Sequence, residues 1–308
     1  MCENIKLSHM NHWKTIPYKQ IDNFRDFYYE DKSNIAYYSD WDRILRYHKA
    51  AGYDGIEIAP WDVADILKLF GTPKDFTDFA ADHGITVSGM FHGADNSFMA
   101  DKYDEVLEAG KAAVDLCAAF GGQHLNTCPA NNYYGVGPLD EQALKNAAKV
   151  LTDIGRYAVS KGIKVGIHNE FFCAVNKENH HHFLELTDPN YVFYCLDTAQ
   201  IAIMGDDLLK FYETYHDRIC TFHLKDTASI AVPDEIRYDK DVEIRDDGWR
   251  WFWEPGEGVL DLKGLWQLVK KYGFKGWVSI EDDGTPDLLA SMALSSYYVK
   301  QELYKIYC

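Results

Sequence analysis

Several large protein classes are excluded by what this chain lacks. No apolar run approaches the ~20 residues that cross a bilayer, so no membrane span is expected. The opening MCENIKLSHMNHW has no basic stretch followed by an apolar core, so no secretory signal is expected. Basic residues are few: 31 Lys and Arg face 48 Asp and Glu, a net charge of −17. That balance counts against nucleic acid and anionic membranes as partners, and against a multiply phosphorylated substrate. The seven cysteines form no CxxC pair and no regular spacing, which predicts free thiols in a reducing compartment, here the cytoplasm. No internal repeat, low-complexity segment or linker divides the chain. A single domain over residues 1–308 is therefore expected, somewhat above the ~250 residues typical of a one-domain (β/α)₈ barrel.

What is present is an alternation of short β-rich runs and longer helical patterns. The runs read as strands are Ile5–His9, Gly55–Ile58, Ile85–Phe91, Gln123–Cys128, Lys164–Glu170, Val192–Asp197, Ile219–Lys225 and Gly276–Glu281. Apolar residues recur at helical spacing between them, for example over Trp41–Ala51, Tyr103–Phe120, Leu139–Ser160 and Leu262–Tyr272. Glycine at several helix-to-strand junctions suits the left-handed residue that closes a helix. Eight βα units with right-handed crossovers predict an α/β fold, a single closed (β/α)₈ barrel of the TIM type. The competing open doubly wound sheet usually carries a Gly-rich phosphate loop, and none is present. One connection is too long for a simple βα loop: about residues 226–258, after the seventh strand, with Trp249, Trp251, Phe252 and Trp253 among many charges. It reads either as a packed surface loop over the barrel mouth or as a lid, substrate wall or subunit contact.

Polar residues gather at the C-terminal ends of the strands, where barrel enzymes place their chemistry. Strands five to eight end in His168-Asn169-Glu170, Asp197, His223-Leu224-Lys225 and Glu281. Bringing such charges to one rim costs desolvation unless something compensates. A divalent cation does so directly, and Glu170, Asp197, His223 and Glu281 are its expected ligands. Three oxygens and one nitrogen form a hard site that favours Mn²⁺ or Mg²⁺, with Co²⁺ as a further alternative. A salt-bridge network without metal is the competing reading. His168 and Glu170 are two apart on a strand and share a face, so His168 is either a general acid or base or a partner that orients a ligand. Glu170 and Glu281 are the other catalytic candidates. Lys225 reads as a salt bridge to Glu281 or Asp226, or as a substrate contact. Glu57 reads as a substrate contact or a brace for the barrel base, and His92 as a pocket residue or a structural histidine. His180-His181-His182 reads as a solvated loop or helix start, because adjacent side chains diverge.

Taken in order, Gly-Ile-Glu-Ile at 55–58, His-Asn-Glu at 168–170, Leu-Asp-Thr-Ala at 196–199, His-Leu-Lys-Asp at 223–226, Pro-Gly-Glu-Gly at 255–258 and Ser-Ile-Glu at 279–281 resemble the sugar isomerase/epimerase superfamily. This is the xylose-isomerase-like barrel group, with ketose 3-epimerases and inosose dehydratase among its members. The resemblance implies a metal on Glu170, Asp197, His223 and Glu281, with the two glutamates exchanging protons with a sugar. Epimerases of the group carry a histidine three residues after the metal-binding aspartate, where this chain has Gln200, a substrate contact by that correspondence. They also carry an arginine shortly after the metal-binding histidine, which the segment Asp226-Thr227-Ala228-Ser229-Ile230 lacks.

The His-Asn-Glu motif and the Trp-rich insertion look more like the catalytic α subunit of bacterial C-glycoside deglycosidases. That likeness implies a Mn²⁺-dependent lyase that cleaves the carbon–carbon bond between a 3-keto sugar and an aromatic aglycone, together with a small β subunit in a hetero-oligomer. The alternative is a ketose 3-epimerase, sugar isomerase or keto-inositol dehydratase. Both begin with removal of the proton beside the ketone. The resulting enediolate is then reprotonated on its other face or expels a neighbouring group, so the metal ligands alone do not separate the outcomes.

Overall fold

The structure, a computed structural model, describes residues 3–10, 35, 37–130, 138–177, 179–237, 251–281, 283, 285 and 287–308. Its eight strands are β1 (Ile5–His9), β2 (Gly55–Ile58), β3 (Thr86–Ala94), β4 (His124–Pro129), β5 (Lys164–Ile167), β6 (Val192–Asp197), β7 (Ile219–Leu224) and β8 (Gly276–Ile280). They pair in chain order as a closed barrel, as the eight βα repeats predict. Every pairing is parallel, and β1 against β8 closes the ring from Ile5↔Gly276 to His9↔Ile280.

The outer helices form where the apolar periodicity places them. The helix Tyr38–Ala51 buries Trp41, Ile44 and Leu45, and Leu262–Tyr272 buries Leu265, Trp266 and Val269. Each ends on a glycine in the left-handed region, Gly52 at φ 89° and Gly273 at φ 69°, which a Cβ would strain. No helix among the described residues is long and apolar enough to cross a membrane. The buried Cys117, Cys128, Cys173, Cys195 and Cys220 carry free thiols, whereas Cys308 is disulfide-bonded, a departure from the expected set of free cysteines.

Strand ends differ from expectation by three residues at two places: β3 runs on to Ala94 rather than stopping at Phe91, and β5 stops at Ile167 rather than Glu170. The His168 N–H still donates to Thr127 O at 3.0 Å or less (2.9 Å), but beyond it the backbone turns. The Phe171 N–H donates to Gln200 Oε1 at 2.8 Å, and Cys173 N–H closes a turn on Glu170 O at 3.0 Å. Those bonds replace sheet partners and take Glu170 off the ladder.

The centre of the barrel is polar. Ser8, Glu57, His124, Asn126, His223 and Ser279 are all buried there. Glycines make the room: a Cβ on Gly89 would run into the His124 ring, and one on Gly166 would lie 2.8 Å from Asn126 Oδ1.

Within the long connection, residues 238–250 and with them Trp249 lie outside the described residues. The described part is pinned back on the barrel. Asp226 and Trp253 exchange two backbone hydrogen bonds of 2.8 Å. The Asp226 carboxylate also accepts from the N–H groups of Gly256 and Leu260, each at 3.0 Å. These bonds give the Asp226 and Pro-Gly-Glu-Gly motifs a shared structural role.

Candidate metal centre

Four strand ends converge at the C-terminal mouth. His168, Asp197, His223 and Glu281 each offer one ligand atom, and these atoms lie within 4.8 Å of one another. His168 Nε2 is 3.2 Å from Asp197 Oδ2, and His223 Nδ1 is 2.7 Å from Glu281 Oε2. The two imidazole rings lie 4.6 Å apart. Of the expected ligands, the structure brings Asp197, His223 and Glu281 together and adds His168. Glu170 stands beside the cluster, with Oε1 3.9 Å from His168 Nδ1 and its side chain partly exposed. The reason is the early end of β5: Gly166 and His168 face inward by alternation, while Glu170 lies past the ladder.

Two imidazoles and two carboxylates on one small volume suit a borderline divalent ion such as Mn²⁺, Co²⁺ or Zn²⁺. His168 Nδ1 is buried with no hydrogen-bond partner among the described residues, which leaves it available to a cation or a substrate. On both counts the residues present fit a metal.

Lys225 supplies the nearest fixed positive charge. Its ammonium lies 2.7 Å from Glu281 Oε2, 3.1 Å from Asp197 Oδ2 and 2.9 Å from Asp283 Oδ2. The expected ion pair with Glu281 is therefore present. Burial alone would depress this lysine, but Asp197, Asp283 and Glu281 outweigh it and hold the ammonium well above the ordinary value. Burial likewise pushes Glu281 up, yet the charges of Lys225 and His223 hold it well below the usual carboxylate range. The insertion reaches this point: the Phe252 ring lies 4.1 Å from Lys225 Nζ, and Trp251 packs 4.9 Å from Phe171.

The remaining candidates divide. Glu57 lies at the bottom of the site, fully buried and surrounded by protein donors. Gln200 is buried and its side chain holds the Phe171 N–H, so it anchors the turn after β5. His92 has the opposite strand parity to Phe91, whose ring sits edge-on to His168 at 5.5 Å. His180 does start a helix, but it is buried rather than solvated, stacked on Phe211. Sequence reasoning missed Phe91, Asp283, His124 and Asn126. The last two were within reach, because they alternate on one strand with the parity of the polar interior.

The family model for xylose isomerase-like TIM barrels matches residues 45–296. The chain belongs to that family. It is 27% identical over 149 residues to an inosose dehydratase of Clostridium perfringens, a match covering 48% of this chain and 50% of that one. The chain thus spans about half the length of the curated relatives it matches there. Among solved structures, it superposes on an L-ribulose 3-epimerase with a TM-score of 0.71 at 17% identity, covering 98% of this chain and 95% of that chain. It superposes on the IOLI protein with a binding zinc atom with a TM-score of 0.70 at 18% identity, covering 98% and 99%. At such identity these structures speak to the fold. The xylose-isomerase-like barrel that the sequence motifs resemble is thereby shown.

Proposed function

We propose that this protein is a metal-dependent dehydratase or epimerase of a cyclic keto polyol, working by removal of the proton beside the ketone. The observation that carries the reading is the convergence of His168, Asp197, His223 and Glu281 at one barrel mouth. In this reading those four residues hold the ion, with Mn²⁺ the first candidate. The ion supplies Lewis-acid polarisation of a carbonyl. Glu170 is the proton-abstracting base, because its partly exposed carboxylate stands next to the cluster rather than inside it. His168 Nδ1 lies 3.9 Å from that carboxylate, beyond hydrogen-bond reach. Lys225 faces the same opening and steadies negative charge that develops on a substrate oxygen. Elimination of a neighbouring hydroxyl then gives dehydration, the reaction named for the inosose dehydratase relatives. Return of the proton to the other face gives epimerisation.

A second reading has its own support. Phe252 over Lys225 and Trp251 against Phe171 put aromatic rings of the insertion at the site. Such rings suit an aromatic aglycone, so the same first step could expel that group and cleave a C-glycoside, with a small β subunit as partner. The test is incubation of the Mn²⁺-loaded chain with a keto-inositol, a free ketose and a 3-keto C-glycoside, the last with and without candidate β subunits. Loss of water from the keto-inositol supports the first reading, and release of aglycone supports the second. No turnover of any of the three sinks both.

A further inference from the structure

Glu57 is as buried as any residue in the barrel, yet it is a carboxylate. Its four donors come from three different strands. Ser279 Oγ donates at 2.7 Å, Asn126 Nδ2 at 2.8 Å, and His124 Nε2 lies 3.3 Å away. The fourth is His223 Nε2, at 3.1 Å from Oε1 and 3.2 Å from Oε2. An ionised carboxylate can only accept, so Glu57 favours a proton on His223 Nε2, against the competing Asn126 Nδ2 donor 3.1 Å from the same nitrogen. The other ring nitrogen, Nδ1, faces the ligand cluster, 2.7 Å from Glu281 Oε2; by the same rule it carries a proton there until an ion takes that proton's place.

We infer that Glu57 is a positioning residue for the metal centre: it locks the Nε2–H tautomer of His223, so that Nδ1 presents its lone pair to the ion. The inference rests on the metal reading above. A carboxylate behind a ligating imidazole fixes the ring's orientation and raises its basicity. The surroundings are built for that one task. Glu57 and His223 sit across the barrel on β2 and β7, 166 positions apart, so no local chain geometry explains their contact. Gly89 leaves space for the His124 ring, and Gly166 leaves space beside Asn126, both of which hold the carboxylate. With no exposure, Glu57 is placed to act through His223 rather than on a substrate.

The experiment measures Mn²⁺ affinity by titration calorimetry for the unmodified chain, Glu57→Gln and Glu57→Asp, with the thermal melt of each protein in chelator. The expected result is one ion bound by the unmodified chain and roughly 10- to 100-fold weaker binding by both folded variants. Unchanged affinity beside a lowered melt would make Glu57 a structural brace and overturn the inference while leaving the metal reading intact. Failure of both variants to fold would overturn it in the same way. An unmodified chain that binds no Mn²⁺ or Zn²⁺ would bring down the metal reading itself.

Discussion

His168 stands between Asp197 and Glu170, its Nε2 3.2 Å from the Asp197 carboxylate and its Nδ1 3.9 Å from that of Glu170. On the proposed reading, this placement makes His168 a ligand and Glu170 the base, the reverse of what strand alternation alone suggests. His168→Ala is expected to weaken Mn²⁺ binding along with turnover. Glu170→Gln is expected to keep the ion and lose ~10²–10⁴-fold in kcat, the usual cost of a missing general base. Metal content by atomic emission and kcat measured on the same samples check both. Tight metal binding by His168→Ala with loss of metal in Glu170→Gln would restore Glu170 as the ligand.

The insertion gives a substrate-dependent prediction. Trp251→Ala combined with Phe252→Ala removes both rings that pack near Phe171 and Lys225. If those rings hold an aglycone, kcat/KM on an aryl C-glycoside falls about 5- to 100-fold, as expected for two lost aromatic contacts. A small keto polyol loses little. Equal losses on both substrates would assign the rings to shaping the metal site.

Close packing inside the barrel predicts a stability effect at Gly89. A Cβ there collides with the His124 ring and meets its backbone oxygen. Gly89→Ala should lower unfolding free energy by about 1–3 kcal/mol, the usual range for overpacking. Urea denaturation measures it. An unchanged midpoint would mean that His124 can move aside.

His180 carries a pH prediction. Burial, reinforced by the neighbouring His181 charge and opposed by Asp206, holds its imidazole down from 6.5 to about 3. Between those values the unfolded chain takes up a proton that the folded one refuses. Its contribution therefore leaves stability level above the unfolded value and lowers it as pH falls through this window. His181 acts in the opposite sense: its hydrogen bond to Asp206 raises its pKa and favours the fold at low pH. His180→Phe keeps a ring against Phe211 and Tyr194 and should flatten the acid-side fall in melting temperature. Identical slopes in the variant and the unmodified chain would rule out His180 as the source.

The barrel was legible in the sequence because each of its eight strands is a short β-rich run followed by a helical period, and their order needs no long-range guess. The convergence of Asp197, His223 and Glu281 was legible for the same reason: each lies within one residue of a strand end. The place of Glu170 was not, because alternation holds only while a strand keeps its ladder, and side-chain bonding by Gln200 turns the chain after His168. The polar interior was hidden by a different cause. The alternation of His124 and Asn126 marks a shared strand face, but only the closed ring brings that face to Glu57.

The most direct test of proton removal beside a ketone is deuterium exchange. The protein is incubated in D₂O with a keto-inositol, with Mn²⁺ or after exhaustive chelation, and the substrate is read by proton NMR. Metal-dependent loss of the signal for the hydrogen next to the carbonyl, abolished in Asp197→Ala, is the predicted result. Washout that survives chelation at full rate, or turnover of the keto-inositol with that hydrogen retained, would contradict the account.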